Sequence, residues 1–353
     1  MLRLKFSSQL FILLASAILL IGLAACTPEA PGVEATPTEP IIEASEPSLT
    51  EAVETPPTPT PATAPTVLLV TGTEVDPFIV TQTQSLLTDL TEAASMRLVS
   101  QEGLTPEMLT PEVQVVVGIG QNLDLNTVAS NAPNISFVAI GDPAAVVAAN
   151  LSVIGDQLND ARQRAFMAGY LSALISSDSK VVALIADENP SRDLLVESYL
   201  VGVRFFCGLC QPLYPPYNPF PQWEALSSDM AGERYQVVVD NFTNMAVEVM
   251  YVHGELISPE LLAYLEESGM KVVSDRAPDI QRSNWVGTVK SNPMPALEAL
   301  WPDLLMAAPG IQMPSEIMLT DREAGLVSEG RYRLFEIMVA DLQAGLVSVE
   351  ITP

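Results

Sequence analysis

Lys180-Val181-Val182-Ala183-Leu184-Ile185-Ala186 decides the fold class. After one lysine it is an unbroken apolar run, short and rich in β-branched residues, so it reads as a strand buried on both faces. A long helix is expected before it, over about 158–176, and another after it, near 192–206. A doubly buried strand between two helices belongs to a parallel sheet with helices on both faces.

The same rhythm extends outward in both directions. Towards the N-terminus, strands are expected at 67–70, 97–99, 113–117 and 135–140, the last ending at Gly141-Asp142-Pro143. Leu86, Leu87 and Leu90 mark one face of a helix over 79–94. Towards the C-terminus, strands are expected at 235–239, 247–252, 271–274 and 285–289, and helices near 258–268, 294–307 and 331–344. Gly345 then serves as a helix stop. The fold class is therefore α/β: two doubly wound parallel-sheet lobes joined by a hinge. The N-terminal lobe is expected over 67–178, with part of 285–320 returning to it. The C-terminal lobe is expected over 179–284, with part of 321–353.

Composition removes several classes of function. The chain has 353 residues, with 16 Lys+Arg against 43 Asp+Glu, a net charge of −27, one His and three Cys. Binding a phosphate backbone needs clustered Lys and Arg, so no nucleic-acid partner is expected. One His and three Cys do not furnish a four-ligand zinc site from nitrogen and sulfur alone, and no metal or cofactor is expected. Three cysteines are too few for a disulfide-stapled scaffold.

The first 26 residues read as an address. Arg3 and Lys5 precede an apolar core from Phe11 to Leu23, which is short and wrongly flanked for a membrane span. Leu23-Ala24-Ala25-Cys26 looks like the bacterial lipobox, in which the Cys is lipidated. An ordinary signal peptide with a Cys at its cleavage site is the alternative. Residues 27–66 then hold ten Pro and seven Glu with no Lys, Arg or aromatic residue, the composition of an extended tether. Localisation is accordingly expected on the extracytoplasmic side of a bacterial membrane, held by a lipid anchor at Cys26. Without the leader's two cations and the tether's seven carboxylates, residues 67–353 carry −22.

Cys207-Gly208-Leu209-Cys210 admits three readings: a redox motif, half a metal site, or an export-compartment disulfide pinning a loop. The disulfide asks for the least additional context.

In open α/β sheets ligands bind beyond the carboxyl ends of the strands. Polar or aromatic residues there include Asp76, Phe78, Gly118 to Gln121, Asp142, Asp187, His253, Glu255, Asp275 and Lys290.

Ala165-Phe166-Met167-Ala168-Gly169-Tyr170-Leu171-Ser172-Ala173-Leu174 resembles the aromatic-Leu-Ala-Gly-x-x-Ala-Ala helix of the basic membrane protein family. These are purine-nucleoside-receptor lipoproteins of ABC importers, within the type 1 periplasmic binding protein superfamily. Tyr199 to Arg204, Glu267 to Asp275, Gly287-Thr288-Val289-Lys290 and the Gly345–Pro353 ending resemble further family segments in the same order. Two departures stand out. Asp76-Pro77-Phe78-Ile79 keeps the acid and the ring of an Asp-x-x-Phe-Asn element but lacks its Asn, and His253-Gly254-Glu255-Leu256-Ile257-Ser258 replaces a Gly-rich loop.

The resemblance implies that a small polar, nucleoside-like ligand binds between the lobes and that the ABC permease subunits are partners. Candidate ligand contacts are Phe78 for stacking on a base, Asp76, Asp142 and Asp275 for hydroxyls, and Lys290 as a donor, with Trp285 lining the cleft. All but Asp275 have a plain structural alternative. Asp76 and Asp142 precede prolines as turn residues do, Phe78 and Trp285 are candidates for packing, and Lys290 for a solvated surface.

Enzymatic activity is not expected. His253 is the sole imidazole, and no Gly-x-Ser-x-Gly elbow, Walker loop or complete dinucleotide loop accompanies it. The alternative to a transport receptor is a surface sensor or adaptor that keeps the lobes and has lost transport.

Overall fold

The computed structural model describes residues 64–349 apart from Ala231. The leader, Cys26 and nearly all of the tether lie outside the described residues.

The first lobe runs β1 (Thr66–Thr71), α1 (Pro77–Ala93), β2 (Arg97–Glu102), β3 (Val113–Ile119), α2 (Leu125–Asn131), β4 (Ser136–Ile140) and β5 (Leu151–Ile154). The second begins with α3 (Gln157–Ile175), β6 (Val181–Ala186), α4 (Arg192–Cys207) and β7 (Gln222–Leu226). It continues through α5 (Glu233–Asn244), β8 (Val249–Val252), α6 (Pro259–Glu267), β9 (Lys271–Ser274) and β10 (Trp285–Asn292). The chain then gives α7 (Met294–Leu305) and β11 (Gln312–Met313) to the first lobe and returns with β12 (Glu316–Thr320) and α8 (Glu329–Gln343).

Two six-stranded sheets result, ordered β11-β5-β4-β3-β1-β2 and β12-β10-β9-β8-β6-β7. All neighbours pair in parallel except β10 with β12. Alternation sorts the side chains of each sheet. Val67 and Leu69 face α1 and α7 through Leu87, Leu297 and Leu300. Leu68 and Val70 face the α2 side with Leu125 and Ala129. In the second sheet, Val181, Ala183 and Ile185 face α3, α4 and α8, whereas Val182 and Leu184 face α5 and α6. Both faces are dry, which is why these strands read as continuous apolar runs.

The glycines in the family-like segments work in the contact between α3 and α4. A Cβ at Gly169 would lie 2.2 Å from the Tyr199 carbonyl oxygen, and one at Gly202 would lie 1.9 Å from that of Phe166. The two backbones touch there, and only glycine permits it.

Two expectations need correction. Residues 235–239 are not a strand but part of α5. Tyr235, Val238, Val239 and Phe242 are buried at i, i+3, i+4 and i+7 while Val237 is exposed, the pattern of a helix face. The first lobe does not extend to residue 178, because α3 packs in the core of the second sheet and the first crossing falls just after Ile154. Within 285–320, α7 and β11 join the first lobe, while β10 and β12 belong to the second.

Cys207 and Cys210 are joined, with their Cα atoms 5.0 Å apart, at the C-terminal end of α4.

Candidate functional site

The chain crosses between the sheets three times: after β5, between β10 and α7, and between β11 and β12. These crossings contribute Gly155, Pro293 and Ser315 to the lining of a cavity of about 330 Å³. Its walls are the carboxyl-terminal ends of strands from both sheets, where α/β folds place ligands. The volume falls at the lower end of small-molecule sites.

The first-lobe wall is made of turns. Asp76 is the N-cap of α1: its Oδ1 accepts from the Phe78 amide at 2.9 Å, with Pro77 at the first helical position. Asp76 Oδ2 accepts from Lys290 Nζ at 3.0 Å. That bond spans the cleft, because Lys290 stands on β10 of the second sheet. Asp142 follows β4 and closes its turn by accepting from the Ala144 amide at 3.0 Å. Glu74 is steadied by Gln121, whose Nε2 donates to Oε2 at 2.7 Å.

The second-lobe wall is made of buried and half-buried groups. Asp160, in the first turn of α3, is 8% exposed. Burial pushes its carboxyl above the usual carboxylate range, while Arg164, one turn on, pulls in the opposite direction. Gly155 makes room for this carboxyl. Its φ is +90°, and a Cβ there would lie 2.7 Å from Asp160 Oδ2 and 2.9 Å from Ser315 Oγ. Arg164 Nη1 donates to Ser291 Oγ at 2.8 Å. Asp275, beyond β9, accepts from the Gly254 amide through Oδ1 at 2.7 Å, with His253 Nε2 3.6 Å from Oδ2. Behind it the Tyr251 ring stacks on Tyr199 with centroids 5.5 Å apart, and burial together with the Asp275 charge pushes the Tyr251 phenol up.

Of the sequence candidates, Asp76, Asp142, Asp275 and Lys290 line this one cavity. Phe78 stands beside it, half-buried, with Lys290 Nζ 4.8 Å from its ring centroid. No aromatic side chain is in the lining. Trp285 must be corrected: it is fully buried in the core between β10 and the α5–α6 layer, its Nε1 donating to Thr288 Oγ1 at 3.3 Å. It opens its strand at the end away from the cleft, so its side chain serves packing. Lys290 is no solvated surface lysine either, being 8% exposed.

Sequence reading missed Asp160, Arg164, Gln157, Ser291 and Ser315. The available signal was a charged i, i+4 pair, Asp160 and Arg164, at the start of a helix whose remainder is apolar. Among the described residues no group of three or more His, Cys, Asp or Glu is placed to hold a metal ion.

No protein-family model matches the chain, and no curated protein matches it. Solved structures do. A transcriptional activator of the comK gene from Bacillus halodurans is similar at TM-score 0.53 and 14% identity, over 80% of this chain and 98% of that one. An ABC transporter system solute-binding protein from Aeropyrum pernix K1 is similar at 0.51 and 13%, over 82% and 94%. AraP, an arabinose binding protein from Geobacillus stearothermophilus, is similar at 0.53 and 11%, over 74% and 99%. The fold is that of the type 1 periplasmic binding proteins. At these identities the likeness concerns architecture, and the function has to be argued from the chain's own cleft.

Proposed function

We propose that this chain is a membrane-anchored, extracytoplasmic solute-binding protein of an ABC importer, taking a small polar ligand between its lobes. The cavity at the three crossings carries the reading, because it gathers charged groups from both lobes and is not filled by side chains. Closure of two lobes on a ligand needs contacts to both walls, and Asp76 with Lys290 shows that polar groups of the two walls reach each other. The fold usually serves non-covalent binding.

The lining favours a hydrophilic, unstacked solute. Five carboxyl side chains, those of Glu74, Asp76, Asp142, Asp160 and Asp275, face two cations, Arg164 and Lys290. A carboxylate accepts from hydroxyl or ammonium donors. A purine would need an aromatic face, and the Phe78 ring is covered by the Lys290 ammonium. An aldose, polyol or amino compound therefore fits the lining better than the nucleoside suggested by the sequence resemblance.

A thermal-shift screen against sugars, polyols, amino acids, polyamines and nucleosides tests this. A ligand at 100 times its Kd stabilises by about 2.7 kcal/mol. A polar, non-aromatic hit that is lost in Asp275→Asn supports the reading. A nucleoside as sole hit restores the inherited specificity. No shift with any class favours the sensor or adaptor.

A further inference from the structure

We propose that segment 205–223 is a membrane-contacting surface, which lays the body on the lipid interface of the bilayer to which the chain is tethered. The observation is a concentration of exposed apolar side chains. Phe205, Phe206, Leu209, Leu213, Tyr214, Tyr217 and Trp223 are between 42% and 84% exposed. Every exposed aromatic side chain among the described residues lies in this segment. A concentration of exposed apolar side chains in one segment is the kind of feature that marks a contact site.

The segment is held in place rather than frayed. The Cys207–Cys210 disulfide closes its start. Beneath it, the buried Asp178–Lys180 ion pair, 2.8 Å apart, binds the loop backbone. Asp178 accepts from the amides of Leu213 and Tyr214, and Lys180 Nζ donates to the Pro215 carbonyl at 3.4 Å. A buried charge pair thus fixes the very residues whose side chains point outward.

Charge selects the occupant. Residues 198–223 contain no Asp or Glu and one cation, Arg204, in a body of net charge −22. Carboxylates are repelled by an anionic leaflet, and their absence from this one aromatic stretch fits a lipid surface. Tyr and Trp favour the headgroup level, where a ring is half dry and its polar tip is wet. Residues 27–63 have the composition of a tether, and a chain of that length would reach on the order of 100 Å if fully extended at ~3.1 Å per residue. An anchored tether would also supply a high effective concentration, and a weak patch would then suffice.

The test uses the mature chain, residues 26–353, acylated and unacylated, with phosphatidylcholine–phosphatidylglycerol vesicles whose acyl chains are brominated near the headgroup. Trp285 and Trp301 are at most 6% exposed and Trp223 is 43% exposed, so the quencher reads Trp223. The acylated chain is expected to lose the share of emission that Trp223→Phe removes. The double variant Leu209→Ser, Leu213→Ser is expected to keep that emission while retaining the wild-type melting temperature. Unquenched Trp223 in the acylated chain, or quenching that persists in the double variant, overturns the proposal. So does a photo-crosslink from position 213 to a permease subunit rather than to lipid in cells. The argument draws on the lipid-anchor reading, and the two fail separately. If the mass of the cell-made protein shows Cys26 unacylated, the anchor is wrong. The surface then stands or falls on whether the unacylated chain floats with vesicles and Leu209→Ser, Leu213→Ser abolishes flotation.

Discussion

The two walls of the cleft present similar polar atoms but are built in different ways. On the first-lobe wall, Asp76 and Asp142 are turn residues that already bond local amides, and the Asp76 side chain is 41% exposed. On the second-lobe wall, Asp160 and Lys290 are each 8% exposed and sit in the first turn of a helix and within a strand. The first wall is assembled by chain geometry, with its charges in high dielectric. The second is assembled by burial, where each charge depends on its neighbours. Discrimination between ligands should therefore rest on the second wall, because unpaired buried groups are the expensive ones.

The sharpest way to break this contrast lies between the walls. Gly155→Ala forces a Cβ into the space of Asp160 and Ser315 at a φ of +90°. It should destabilise the chain by about 2–3 kcal/mol in urea unfolding, from backbone strain together with crowding. A loss below about 0.5 kcal/mol, the scale of an indifferent surface change, would mean that the Asp160 carboxyl does not pack on the crossing.

A smaller effect joins the walls. Asp76→Ala removes a helix cap worth about 1 kcal/mol as well as the bond to Lys290. Lys290→Met removes the bond across the cleft and the ammonium over the Phe78 ring, but leaves the cap in place. The coupling of the two changes in a double-mutant cycle should be about 0.5–1 kcal/mol, discounted because Asp76 is substantially exposed, and should fall with added salt. Zero coupling at low salt would show that the pair does not form across the cleft.

This difference between walls also sets what was legible in the sequence. The first wall could be read because turns are local: Asp-Pro after a strand announces Asp76 and Asp142 without knowledge of the fold. Lys290 and Asp275 could be read only through the resemblance and their places after strands. Asp160 and Arg164 could not, because their role depends on the chain having crossed lobes at Gly155, and β5, which ends there, went unrecognised as a four-residue strand. Trp285 was drawn to the cleft by its chemistry, whereas its burial is fixed by packing against α5 and α6, which no local pattern reveals. The β-branched run Val237-Val238-Val239 carried strand propensity, but the burial period of Tyr235, Val238, Val239 and Phe242 prevailed. The sheets themselves were legible because both faces are dry.

The smallest effect separates burial from ion pairing at Asp160. Its carboxyl is raised by burial, against the pull of Arg164. Below the ordinary Asp value of about 3.9 both the folded and unfolded chains hold the proton, and Asp160 adds no charge to the cleft. As pH rises past that value, the unfolded chain releases its proton while the folded chain keeps it. The unfolded state then binds fewer protons, so stability falls with pH. Above the raised folded value both states are ionised and the fall stops. Asp160→Asn does not titrate and lacks this fall. The stability of the wild type relative to Asp160→Asn should therefore decline across that window and be flat on either side, as read from urea midpoints between pH 3 and 8 at matched salt. A difference that grows with pH would mean that Arg164 outweighs burial and that the second wall is held by an ion pair. The cleft would then offer a full carboxylate to its ligand throughout, and a cationic solute would gain over a neutral polyol.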